Sequence, residues 1–164
     1  RGRKVRPGMS LVTFPDWLAC VSEWLRDQPE LDALVDGRGY TELPRDKTFP
    51  LFVVNQINDP SITADVHYAV DALFQIDVWG GPKATTWTVA ETARAVLSQR
   101  FAGTAHDLTN GSIVVASVRV GGIRRTTDTI VTQAAETTGE VSRARPRASF
   151  DFSAVLRPGR PAGS

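Results

Sequence analysis

With 164 residues, 41% of them apolar, the chain is long enough for one hydrophobic core and too apolar to stay unfolded. No apolar run approaches the roughly 18 residues of a bilayer-spanning helix, and no charged stretch followed by an apolar one opens the chain, so neither a membrane span nor a secretory signal is expected. The formal net charge is only +1, but it is unevenly spread: Arg1, Arg3, Lys4 and Arg6 crowd one end, and Arg143, Arg145, Arg147, Arg157 and Arg160 the other, against Asp151 alone.

Two basic ends around a more acidic middle can touch nucleic acid or an acidic partner. The plainer reading is solvated, disordered ends. The expected organisation is a disordered basic arm over 1–9, one domain over 10–157 with a long loop at 125–142, and a flexible tail over 158–164. The only methionine is Met9, and residues 1–8 carry little functional weight. Arginine outnumbers lysine sixteen to three, which genome composition alone can produce. The single cysteine, Cys20, excludes an intrachain disulfide and reads as a small buried apolar residue, compatible with a reducing compartment.

In chain order, the first element is a helix opening at Phe14-Pro15-Asp16. Proline suits a first turn, where its missing N–H has no helical partner to lose, and Asp16 complements the macrodipole. Leu18, Val21 and Leu25 recur at helical spacing beside Trp17 and Trp24. Pro29 breaks or restarts the helix, Glu30 to Val35 makes a further turn, and Gly37 and Gly39 end the region. Residues 40–50 read as a loop and Leu51 to Ile57 as a strand. Asn58-Asp59-Pro60-Ser61 is turn chemistry, leading into a mobile loop as far as His67.

The clearest element is 69–79. Val70, Ala72, Phe74, Ile76 and Val78 alternate with Asp71, Leu73, Gln75, Asp77 and Trp79, which predicts a strand with one face in the core. Gly80-Gly81-Pro82 stops it. A helix follows over 83–101, with Ala90, Ala93, Leu97 and Phe101 on one face, broadened by Val89 and Val96. Gly103 to Gly111 reads as a loop. Ile113 to Val120 reads as a strand with Val114, Ala116, Val118 and Val120 on one face, and Gly121-Gly122 as a bulge or bend. Residues 125–142 form a long Thr-rich loop, part of which extends the neighbouring strands as a hairpin. The last strand is 148–156, with Phe150, Phe152, Ala154 and Leu156 together.

The expected fold is therefore α+β, a mainly antiparallel four-stranded sheet with helices packed on one face, in the order α-β-β-α-β-β. The sheet's other face would carry Asp71, Gln75, Asp77, Arg119, Asp151 and Ser153 together with Leu73, Trp79, Val115 and Val155. Such a half-apolar face suits packing against a second copy, or is ordinary scattered surface.

Chemistry is harder to find. There is no GxxxxGK[ST] loop, no GxGxxG after a strand and no GxSxG elbow. His67 and His106 both fall in predicted loops, and Asp65-Val66-His67 offers a metal only two ligands, so no metal or cofactor is expected. Asp71 and Asp77 share a strand face at roughly 20 Å, too far apart for a glycosidase pair. Asp77 and Asp151 read instead as balancing Arg119 across strands. Ser149-Phe150-Asp151-Phe152 has the aromatic alternation of an RNA-recognition strand without its preceding basic residue and glycine.

The segment Phe74-Gln75-Ile76-Asp77-Val78-Trp79-Gly80, then a short turn and an Ala/Val-rich helix, resembles the tail terminator proteins of long-tailed bacteriophages. These are also called tail-completion or head–tail joining proteins. The corresponding stretches are Pro50 to Val54, Ala69 to Gly80, Lys83 to Phe101, Ile113 to Arg124 and Ala148 to Leu156, so the resemblance covers about 10–157. It implies a structural virion protein, not an enzyme, whose copies form a hexameric ring that ends tail-tube polymerisation. It implies as partners the tail tube protein, a head-closure or connector protein, and the genome DNA passing through the lumen. Its place would be the virion, assembled in the bacterial cytoplasm. Leu73, Asp77, Trp79, Arg119, Arg124 and Arg125 are the candidate interface residues, and 125–142 is expected to reach a neighbour. The alternatives are another neck protein, a nucleic-acid-binding module using the basic ends, or an enzyme built around His67 or His106.

Overall fold

A computed structural model describes residues 13–58, 69–129 and 144–159. Helix α1 spans Trp17–Arg26. Asp16 caps it, its Oδ1 accepting a hydrogen bond from the Ala19 N–H at 3.1 Å, which satisfies one of the orphan donors of the first turn. Trp17, Cys20, Val21, Trp24 and Leu25 are buried along one stripe. Helix α2, Pro29–Val35, places Pro29 in its first turn and ends on Asp36 in the left-handed region (φ 50°).

Strand β1 is Gly39–Tyr40 and runs parallel to β2, Leu51–Gln56. A Cβ on Gly39 would lie 2.2 Å from the ring of the buried Phe52, so glycine is what lets the two strands approach. Strand β3, Val70–Trp79, pairs antiparallel with β2 on one side. On its other side lies β7, Ala144–Pro158. Helix α3 spans Lys83–Val96 and continues as a π-helical segment, Leu97–Phe101. Then come β4, Ala105–Leu108, β5, Gly111–Val120, and β6, Arg124–Thr129.

The strand order is β1-β2-β3-β7-β5-β4, with β6 paired to β7. Ser149 faces both Asp77 of β3 and Arg124 of β6, and Phe152 faces both Phe74 of β3 and Val120 of β5. Strands β5 and β6 therefore follow one another along the same edge of β7. Between them Gly121 donates its N–H to the Asp151 carbonyl at 2.8 Å. The expected four-stranded, mainly antiparallel sheet is thus replaced by a mixed, curled seven-stranded half-barrel with three helices. The three extra strands are β1, β4 and β6, each short and without an apolar alternation of its own.

The core joins α1, α2 and α3 to one face of the sheet: Phe52 and Val54 of β2, the even positions Val70 to Val78 of β3, and Ala148 to Leu156 of β7. Phe74 and Phe152 stack across the β3–β7 pair at 5.0 Å. In β5 the expected face is only half right. Ile113 and Val115 are buried, whereas Val118 and Val120 pack against the core. A register irregularity between Val115 and Ser117 reverses the alternation and leaves Ala116 exposed. Val115 accordingly leaves the outer face on which it was expected.

Candidate functional site

The outer face of β3 and β7 carries the residues that sequence reasoning singled out. Leu51 and Val53 of β2 are buried on that side, while Leu73, Gln75, Trp79, Asp151, Ser153 and Val155 are half-exposed. Asp77, 6% exposed, is the centre. Its Oδ1 accepts from Arg147 Nη2 at 2.7 Å and Nε at 3.2 Å, and its Oδ2 accepts from Asn55 Nδ2 at 3.3 Å. The Arg147 guanidinium also lies 4.9 Å from the Trp79 ring centroid. The partners expected for the acids are thus corrected. Asp77 is balanced by Arg147, and Asp151 by Arg124 at 3.2 Å. Arg119 sits exposed opposite Ser153.

Strand alternation sends the adjacent Arg124 and Arg125 to opposite faces. Arg124 shares the outer face with Asp77. Arg125, opposite Ala148, turns to the helix side and lies 3.8 Å from the centroid of Trp87 on α3. Leu73 stays on the outer face, its N–H donating to Asn58 Oδ1 at 2.8 Å. So Asp77 and Trp79 meet through Arg147, and Arg125 stands apart from the other five.

Arg145 and Arg147 are not part of a basic tail. Both belong to β7, which begins four residues earlier than expected. Arg145 lies over the Phe49 ring at 4.4 Å. Three arginines thus rest on Trp87, Phe49 and Trp79 at the base of the β6–β7 ladder, each contact worth roughly 0.5–1 kcal/mol where exposed. Counting back from Asp151 at period two reaches Ser149, Arg147 and Arg145, which would have placed both arginines on the outer face. Beneath the ladder, a cleft of about 340 Å³ is lined by Lys83, Trp87, Arg125, Thr127 and Pro146 among others. Within the expected loop at 125–142, residues 125–129 belong to β6 and pair with β7, and 130–142 lies outside the described residues.

Of the two histidines considered for an enzyme, only His106 is among the described residues. His106 is in β4 rather than a loop. Its ring stacks on Phe101 at 5.4 Å, and Nε2 lies 2.9 Å from Thr104 Oγ1 and 3.1 Å from the Phe101 carbonyl. His67 lies outside the described residues. Cys20 is fully buried, and burial first, then the charges of Glu23 and Asp16, pushes its thiol up to about 11. Glu23, missed from sequence, is a clamp. Its carboxylate accepts the Thr109 N–H at 2.8 Å, the Asn110 N–H at 3.2 Å and Asn110 Nδ2 at 3.1 Å, tying the β4–β5 turn to α1. Among the described residues no three His, Cys, Asp or Glu side chains gather as a metal site.

Comparison with known proteins agrees with the resemblance read from 74–101. A family model described as tail completion protein gp17 matches residues 20–155. No curated protein matches significantly. Among solved structures, a chain from the virion of a native gene transfer agent particle matches with a TM-score of 0.53 at 19% identity, covering 87% of this chain and 95% of that one. At that identity the likeness establishes a shared fold. From Cys20 in α1 to Val155 in β7 the chain follows one family model, and it belongs to the tail completion protein gp17 family, structural components of the phage virion at the junction of head and tail.

Proposed function

We propose that the chain acts without catalysis, as the subunit of a hexameric ring that ends tail-tube polymerisation and joins the tail to the head. Its partners in this reading are further copies of itself, the tail tube protein, a head-closure or connector protein, and DNA passing through the lumen. The observation that carries the reading, beside family membership, is the outer sheet face. Leu73, Trp79 and Val155 stay half-exposed there around the Asp77–Arg147 pair, a mixed face suited to another protein surface. The basic-end reading loses ground, because Arg145 and Arg147 are engaged with Phe49, Asp77 and Trp79.

The gene transfer agent particle is a virion-like assembly, and a chain of the same fold within it favours the same setting here. Two measurements test the role. Light scattering over a concentration series should find a species of about 107 kDa if six copies of the 17.8 kDa chain close a ring. Particles assembled without the chain should carry tails of uncontrolled length detached from heads. Normal tails on filled heads in its absence would overturn the role.

A further inference from the structure

Of the cations lining the cleft beneath the β6–β7 ladder, Lys83 and Arg125 meet no acid among the described residues. Arg125 is exposed, lines the cleft and lies with its guanidinium carbon 3.8 Å from the Trp87 ring centroid. Among the described residues no acceptor or carboxylate engages it. The same holds for Lys83, in the first turn of α3 and lining the same cleft. The nearest acid along the helix, Glu91, is already held in a two-pronged pair by Arg94. A guanidinium held against an aromatic ring loses little freedom on binding, and its planar donors suit a carboxylate.

The opposite end of the molecule carries the complement. Arg100, at the far end of the α3 helical run, binds Glu30 of α2 through both oxygens. Around that contact Asp27, Asp32 and Asp36 are exposed, bordered by Arg26 and by Arg38, which lies 3.7 Å from Asp36. Lys83 and Arg100 stand roughly 25 Å apart at about 1.5 Å per helical residue. No acid of α2 can therefore reach the cleft of its own copy.

Resting on the assembly role above, we propose that the Lys83–Arg125 cleft of one copy receives the acidic α2 end, Asp27 and Asp32, of the next. A contact between two different surfaces repeats head to tail, which is the kind of contact a closed ring requires. Charge complementarity sets its direction and makes it salt-sensitive.

Charge reversal tests it. Lys83→Glu with Arg125→Glu makes both surfaces of a copy acidic, and Asp27→Lys with Asp32→Lys makes both basic. Each variant, verified as folded by thermal unfolding, should stay monomeric at low salt, with association weakened tenfold or more. Mixed in equal amounts, the two should co-assemble in alternation. Unchanged association of either variant alone overturns the contact, as does a mixture of folded variants that stays apart. A wild-type chain that remains monomeric at low salt overturns it too, while normal tail completion by that chain leaves the assembly role standing.

Discussion

Glu23 shows how much can depend on one side chain that lies outside the proposed contacts. Only 8% exposed, it accepts three hydrogen bonds from a turn 86 residues away in sequence. Removing one partner of a buried hydrogen bond leaves the other to pay its desolvation cost, about 1–3 kcal/mol. Glu23→Ala should lower stability by roughly 2–3 kcal/mol, and Glu23→Gln, which keeps one acceptor oxygen, by about 1 kcal/mol. Urea unfolding reads both, and equal losses would mean that the carboxylate is not acting as a multiple acceptor. Cys20 makes a pH-dependent contribution of the opposite kind. Its thiol is raised from 9.0 to about 11 in the folded chain, so folding favours the protonated form. That contribution is complete below pH 9 and is lost as pH rises through about 11, amounting to roughly 2–3 kcal/mol. The stability of Cys20→Ala should therefore fall less steeply between these limits than that of the parent. Parallel curves would show that the buried thiol does not titrate with folding.

Among the elements, what could be read from sequence was what repeats. Strand β3 alternates through ten residues and its even positions are all buried, so pattern alone located it. Helix α1 carried both a periodic stripe and terminal chemistry at Asp16, and Pro29 marked the restart at α2. Strand β6, Arg-Arg-Thr-Thr-Asp-Thr, has no apolar residue to show a face. It exists because β7 offers it a free backbone edge, which is a property of the partner. The two-residue β1 is held by parallel pairing with a distant strand, and β4 is marked only by His106 packing between Trp24 and Phe101. The candidate site divides in the same way. Asp77 and Trp79 followed from the alternation of β3. Their partner Arg147 was hidden by a strand start placed at Ala148, and the opposite facing of Arg124 and Arg125 depended on a strand that composition did not reveal.

For the whole molecule, the two faces of the sheet answer to different demands. The helix-covered face is filled by one cluster running from Trp17 to Leu156, and changes there cost the fold itself. The outer face sets half-exposed apolar side chains among charged and polar ones. Leu73 lies opposite Ser153 and Val155 opposite Asp71, so the two apolar side chains are diagonal neighbours roughly 7 Å apart. Leu73→Asp with Val155→Asp adds two charges where water already reaches, so the unfolding free energy should move by no more than about 1 kcal/mol. A partner pressed against the same spot would have to desolvate both carboxylates. Tail completion should then fail while the thermal unfolding of the single copy is nearly unchanged. If completion survives the double substitution, this face remains solvent-exposed in the virion and no partner covers it. If folding itself collapses, the outer face belongs to the core, and its half-exposed leucine and valine are structural.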